Sequence, residues 1–191
     1  LGWARELGSD VPNFLLGGTV LGLGRGDEVY ALEDLGPWHC VLAMPRAQMQ
    51  GGLATPEAFA RWDNERRGRG LTGGGDSATL IEFCSLVDQV LPAFRQERNR
   101  GPRGPKVHAG IENDFLSGVL SLSPDFPRIH RQLRRTSAVW VGLTGSGAAQ
   151  FGLFRQSGPA ADAAARLAVI HQSWLTRFVG RQQYARGLRA W

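Results

Sequence analysis

The sequence predicts an α+β fold in which a sheet is covered on one side by helices. Two observations carry that expectation. From about residue 46 onward, helical and strand-like segments interleave, and the last part of the chain reads as a hairpin, a helix and a final strand. Bulk composition agrees: 191 residues, 42% hydrophobic and 20% charged, suit one large soluble domain or a little more.

In chain order, residues 1–7 read as the tail of a helix already under way, as if part of the fold precedes Leu1. Gly8 and Pro12 break that helix. Residues 13–31 alternate short apolar runs with glycines and read as strands joined by tight turns. His39–Met44 (HCVLAM) is a buried strand ended by Pro45. Thr55 to Arg66 is a helix with Thr55 as N-cap and Pro56 at its first position. A basic loop over 66–76 follows, then a helix over 77–95 and a Pro/Gly-rich charged stretch over 96–108. Residues 113–122 and 126–135 are two short helices split by Ser123-Pro124. Strands over 138–143 and 149–154 flank Thr144-Gly145-Ser146-Gly147 as a hairpin. An Ala-rich helix spans 159–172, a strand 174–179, and a basic tail ends the chain.

The charge balance is +5, which favours an anionic partner such as a nucleotide or a phosphorylated metabolite. The arginines fall mainly in loops, at Arg66, Arg67 and Arg69, at 95–106, and at Arg181, Arg186 and Arg189, and read as solvated surface. Nucleic-acid binding would want a continuous basic stripe with interleaved aromatics, so no nucleic-acid partner is expected. His39, His108, His130 and His171 share no metal spacing, and Cys40 and Cys84 read as small core residues, so no metal-ligand set is expected. No apolar run approaches the ~20 residues of a membrane span, and the default is a soluble cytoplasmic protein.

Three segments bear on chemistry. The Thr144–Gly147 turn has glycines that allow positive φ and hydroxyls that can donate, which suits an anion nest; it is equally what an ordinary hairpin needs. Asp10, between glycine and proline, suits a turn or a cap, or else a general base or a magnesium-orienting carboxylate. The Gly70–Ala78 run (GLTGGGDSA) looks like a phosphate loop ahead of a helix but lacks the Walker lysine, and reads as a linker.

In order along the chain, Gly8-Ser9-Asp10-Val11-Pro12-Asn13-Phe14, Gly17-Gly18-Thr19 and Gly24-Arg25-Gly26 resemble one block of the 4-diphosphocytidyl-2-C-methyl-D-erythritol kinases of the GHMP superfamily. Met44-Pro45 with Thr55-Pro56-Glu57-Ala58-Phe59 resembles the next block. Asn113-Asp114-Phe115 resembles that family's NDFE signature, with Leu116 in place of the acid. Leu143 to Gly147 with Phe151 to Phe154 resembles its glycine-rich third motif. The resemblance implies residues 1–45 as the tail of the GHMP N-terminal domain and 46–191 as a ferredoxin-like C-terminal domain. It implies transfer of a phosphoryl group from ATP, with Mg2+, to the 2-hydroxyl of the cytidyl substrate in isoprenoid synthesis, by a monomer or homodimer. Asp10 matches the catalytic aspartate, Thr144, Gly145, Ser146 and Gly147 the loop near the phosphates, and Thr55, Pro56 and Phe59 the segment near the cytidine. The family's upstream lysine and PxxxGLGGGSS-type ATP loop do not precede Asp10, so the chain is expected to be a partial copy, inactive alone. The alternatives are another GHMP small-molecule kinase, or a non-catalytic nucleotide- or RNA-binding module.

Overall fold

The computed structural model describes residues 2–48, 54–68 and 113–188. The Gly70–Ala78 run, the helix expected over 77–95, the stretch 96–108, Cys84 and His108 lie outside them. The chain divides into two compact units, residues 1–37 with 177–191, and residues 38–176. This division differs from a boundary at 45, because the strand at 39–44 pairs within the second unit and the C-terminal residues return to the first.

Unit one contains α1 (Gly2–Leu7), α2 (Val11–Leu16), a hairpin of β1 (Val20–Leu23) and β2 (Glu28–Ala31), and a C-terminal helix here numbered α7 (Arg181–Leu188). The hairpin is antiparallel, with Val20 opposite Ala31 and Leu23 opposite Glu28. Helix α2 stands where the start of a strand region was expected. Pro12 lies in its first turn, where a missing N–H costs no hydrogen bond, so the residue that cannot continue α1 can begin α2. Gly17, at φ 61°, ends α2 and donates its N–H to Asn13 O at 2.9 Å.

The basic tail is also helical, and Arg181 is not a solvated residue. Its guanidinium donates to Thr19 O at 2.8 Å and to Gly17 O and Leu32 O at 3.2 Å each. Its backbone N–H and that of Thr19 both donate to the Asp34 carboxylate, at 2.7 and 3.0 Å. Such bonds to a charged group are worth about 1.5–3 kcal/mol, more than neutral ones. One helical turn on, Tyr184 OH donates to Phe14 O at 2.7 Å, and its ring covers Gly17 so closely that a Cβ there would overlap it. Residues more than 140 positions apart are thereby held in one unit.

Unit two is a four-stranded sheet in the order β4-β5-β3-β6, where β3 is His39–Met44, β4 Trp140–Leu143, β5 Gln150–Phe154 and β6 Gln172–Arg177. Strand β5 is antiparallel to both neighbours, Gln150 lying opposite Ala43 on one side and Leu143 on the other. A 3₁₀ turn (Arg46–Gln48) follows β3, and α3 spans Thr55–Gly68. Helices α4 (Leu116–Leu120), α5 (Asp125–Arg134) and α6 (Ser157–Ala168) complete the unit. Ile129 and Leu133 of α5, one turn apart, and Ala160, Ala163 and Leu167 of α6 pack on Val41 and Phe154 of the sheet. Burying a leucine or isoleucine in this way contributes about 1.5–3 kcal/mol. Alanines on α6 let that helix lie close to the strands. A second cluster of Val119, Phe126, Leu143 and Ala148 sits at the β4–β5 turn. Cys40 is buried, as a small core residue should be, and burial pushes its thiol up to about 11. Among the described residues no helix is long and apolar enough to cross a membrane.

His171 is 2% exposed, and its Nε2 has no hydrogen-bond partner among the described residues. Burial holds its pKa below the ordinary 6.5; Asp125 opposes that shift, and Arg128 and Arg46 add to it. The unfolded chain therefore binds this proton more readily than the folded one, so the unfolding free energy should be full above pH 6.5 and fall as the pH drops below it. Urea unfolding between about pH 8 and pH 5 should show that loss, and His171→Leu should flatten it. An equal slope in the variant would place the pH dependence elsewhere.

Candidate functional site

The Thr144–Gly147 turn is held at the end of the β4–β5 hairpin, as the sequence predicts. Thr144 donates its N–H and its Oγ1 to Ala149 O, at 2.9 and 3.1 Å, and Gly147 N–H donates to Thr144 O at 3.0 Å. Gly145 and Gly147 have φ of 51° and 103°, a region that side-chain-bearing residues enter only with strain. The backbone N–H groups of Gly145 and Ser146 have no partner among the described residues. Two successive free donors in a glycine turn form the start of an anion nest.

The first turn of α3 meets this loop. Ala54 O accepts the N–H groups of Glu57 and Ala58, at 2.9 and 3.2 Å, which makes Ala54 the N-cap rather than Thr55. Thr55 is instead the first helical residue, and its hydroxyl is turned outward: Thr55 Oγ1 lies 3.2 Å from Ser146 Oγ, with either able to donate. Thr55 therefore does not cap the helix as its place before Pro56 predicts, and its hydroxyl is engaged by a residue 91 positions away. Pro56 is exposed beside it, and Phe59 one turn further is 50% exposed. Phe59 packs edge-to-face on Phe115, with ring centroids 4.9 Å apart, and Trp62 leans on the same ring at 6.4 Å.

Asn113 joins the two sides. Its Nδ2 donates to Gly145 O at 2.7 Å and to Leu143 O at 3.2 Å, while its Oδ1 accepts from Phe115 N–H at 2.9 Å. The sequence marked Asn113 only as part of a motif; nothing local shows that its partners lie 30 and 32 residues downstream. Leu116, standing where an acid would resemble the family more closely, packs on the Val119 and Phe126 cluster, as a leucine rather than a carboxylate can.

Asp10 belongs to unit one. It precedes α2 in a turn, its backbone carbonyl accepting Asn13 N–H at 3.2 Å. Its carboxylate makes no capping bond, is exposed, and has no partner among the described residues. The acid is thus not consumed by the local structure. Among the described residues no group of three or more His, Cys, Asp or Glu could hold a metal ion.

No family model matches the chain. It is 33% identical over 144 residues to the 4-diphosphocytidyl-2-C-methyl-D-erythritol kinase of Corynebacterium efficiens, a match covering 75% of this chain and 38% of that relative. The chain spans 38–53% of the length of the curated kinases of that name that it matches. A crystal structure of 4-(cytidine 5'-diphospho)-2C-methyl-D-erythritol kinase superposes with TM-score 0.68 at 25% identity, covering 94% of this chain and 56% of that one. Homoserine kinase from Cytophaga hutchinsonii superposes with TM-score 0.59 at 15% identity over 91% of this chain and 52% of that one, a likeness of fold alone.

Gly145→Ala places a Cβ in open space but at φ 51°, so its cost is backbone strain alone. The variant should lose about 1–2 kcal/mol in urea unfolding. No loss would mean that the turn relaxes freely.

Proposed function

We propose, for a chain homologous to the 4-diphosphocytidyl-2-C-methyl-D-erythritol kinases over part of their length and folded as GHMP kinases are, that it serves phosphoryl transfer from ATP to the 2-hydroxyl of a cytidine-diphosphate-linked methylerythritol. In this reading unit two is the C-terminal GHMP domain, and the reaction is cytoplasmic. The observation that carries it is the 3.2 Å approach of Thr55 to Ser146, which brings the nucleoside-side helix and the phosphate-side turn together in one unit.

Each group then has a task its chemistry suits. Phe59, braced by Phe115 and half-exposed, offers a ring to the cytosine. The N–H groups of Gly145 and Ser146, unpaired among the described residues, and the paired hydroxyls receive phosphate oxygens. Asp10 takes the proton of the attacking 2-hydroxyl as its oxygen bonds to the γ-phosphorus and the bond to the leaving ADP oxygen breaks. Phosphoryl transfer asks mainly for positioning and charge neutralisation. Mg2+ bound to ATP would supply part of that neutralisation.

Two experiments bear on this. In a chimera where the chain replaces the matching segment of the Corynebacterium efficiens kinase, Asp10→Asn should lower kcat by about 10²–10⁴-fold without unfolding the protein. Undiminished turnover would remove Asp10 from the chemistry. In the chain itself, Phe59→Ala should weaken cytidine diphosphate binding about tenfold by calorimetry, the worth of one stacked base. Equal affinity in the variant would move the cytidine away from α3.

A further inference from the structure

We propose that Asn113 is a positioning residue that holds the phosphate-side turn, so that the N–H groups of Gly145 and Ser146 are presented beside the Ser146 hydroxyl that meets the first turn of α3. This deepens the kinase reading and rests on it. The amide of Asn113 is used on both sides. Nδ2 has two carbonyl acceptors, Leu143 O at the end of β4 and Gly145 O inside the turn. Oδ1 has one donor, Phe115 N–H. A flipped amide would face oxygen to two carbonyls and nitrogen to an N–H, so the orientation is fixed by its partners.

The two acceptors differ in kind. Leu143 O belongs to the strand; Gly145 O belongs to the turn. One planar NH2 group therefore ties the turn to the rigid hairpin edge that leads into it, and does so from outside the hairpin. Gly145 has no side chain to brace it, and its peptide carbonyl is the group whose orientation sets the direction of the Ser146 N–H. Through Oδ1 the same residue also fixes the backbone of Phe115, whose ring supports Phe59. Asn113 thus links the surface read as base-binding to the surface read as phosphate-binding, without itself being placed against either ligand.

Asn113→Asp separates these two ties. The carboxylate keeps an acceptor for Phe115 N–H but presents oxygen to Leu143 O and Gly145 O, so only the turn side is lost. The test uses the chain with cytidine, which offers base and ribose alone, and cytidine diphosphate, which adds the phosphates. Asn113→Asp should weaken cytidine diphosphate about tenfold and leave cytidine affinity unchanged, and it should shift the amide resonances of Gly145 and Ser146 while sparing Phe59. A general loosening of the fold would weaken both ligands alike. Unmoved turn amides in Asn113→Asp, or equal losses for the two ligands, would overturn the proposal. If the unaltered chain binds neither ligand, the nucleotide-site reading fails, and the amide shifts still decide whether Asn113 holds the turn. Should Asn113→Asp not fold, Asn113→Ser keeps a small polar group at the position and is read in the same way.

Discussion

The antiparallel pairing of β5 with strands on both sides is the constraint on which the candidate site depends. Gln150 lies opposite Leu143 in one neighbour and Ala43 in the other, so the end of the hairpin is fixed by two ladders at once. The glycine turn just before Gln150 has little freedom to drift, and Ala148 at its base is buried with Val119, Phe126 and Leu143. Gln150 itself is buried and spends its amide on Phe126 O and His130, tying the hairpin to α5. Only against so fixed a turn can an outside residue such as Asn113, or a hydroxyl such as that of Thr55, have a defined partner.

Unit one is held by a different physics. Its apolar surface is poorly covered, with Trp3, Leu7 and Phe14 largely exposed, and polar bonds of Arg181, Asp34 and Tyr184 tie its C-terminal helix to the rest. Arg181 satisfies three backbone carbonyls, while Asp34 satisfies two backbone N–H groups, so the α2–β1 connection, the segment after β2 and the start of α7 define one another. Gly17 is required both by its positive φ and by the Tyr184 ring above it.

Features set by neighbouring residues were legible in the sequence. The strand His39–Met44, the hairpin with its glycine turn and the Ala-rich helix all follow from patterns within a dozen positions, and the order of short motifs placed the chain beside its kinase relatives. What escaped was set at long range or by context. Pro12 reads as a breaker, and only the structure shows that it opens α2. Thr55 reads as a cap until its hydroxyl is seen across from Ser146. Arg181 reads as one more surface arginine, although its partners lie some 150–160 residues earlier. Asn113 carries no local sign of its double role, because donor and acceptors meet only after the hairpin has formed.

The most direct measurement is an amide chemical-shift map of the chain titrated with cytidine diphosphate at two salt concentrations. The account predicts that the perturbed residues gather at Thr55 to Phe59, at Asn113 to Phe115 and at Thr144 to Gly147, with a pattern that survives added salt. Perturbations spread instead over the exposed arginines of α5 and α7, and fading steeply as salt rises, would contradict it and mark the chain as a general binder of anions.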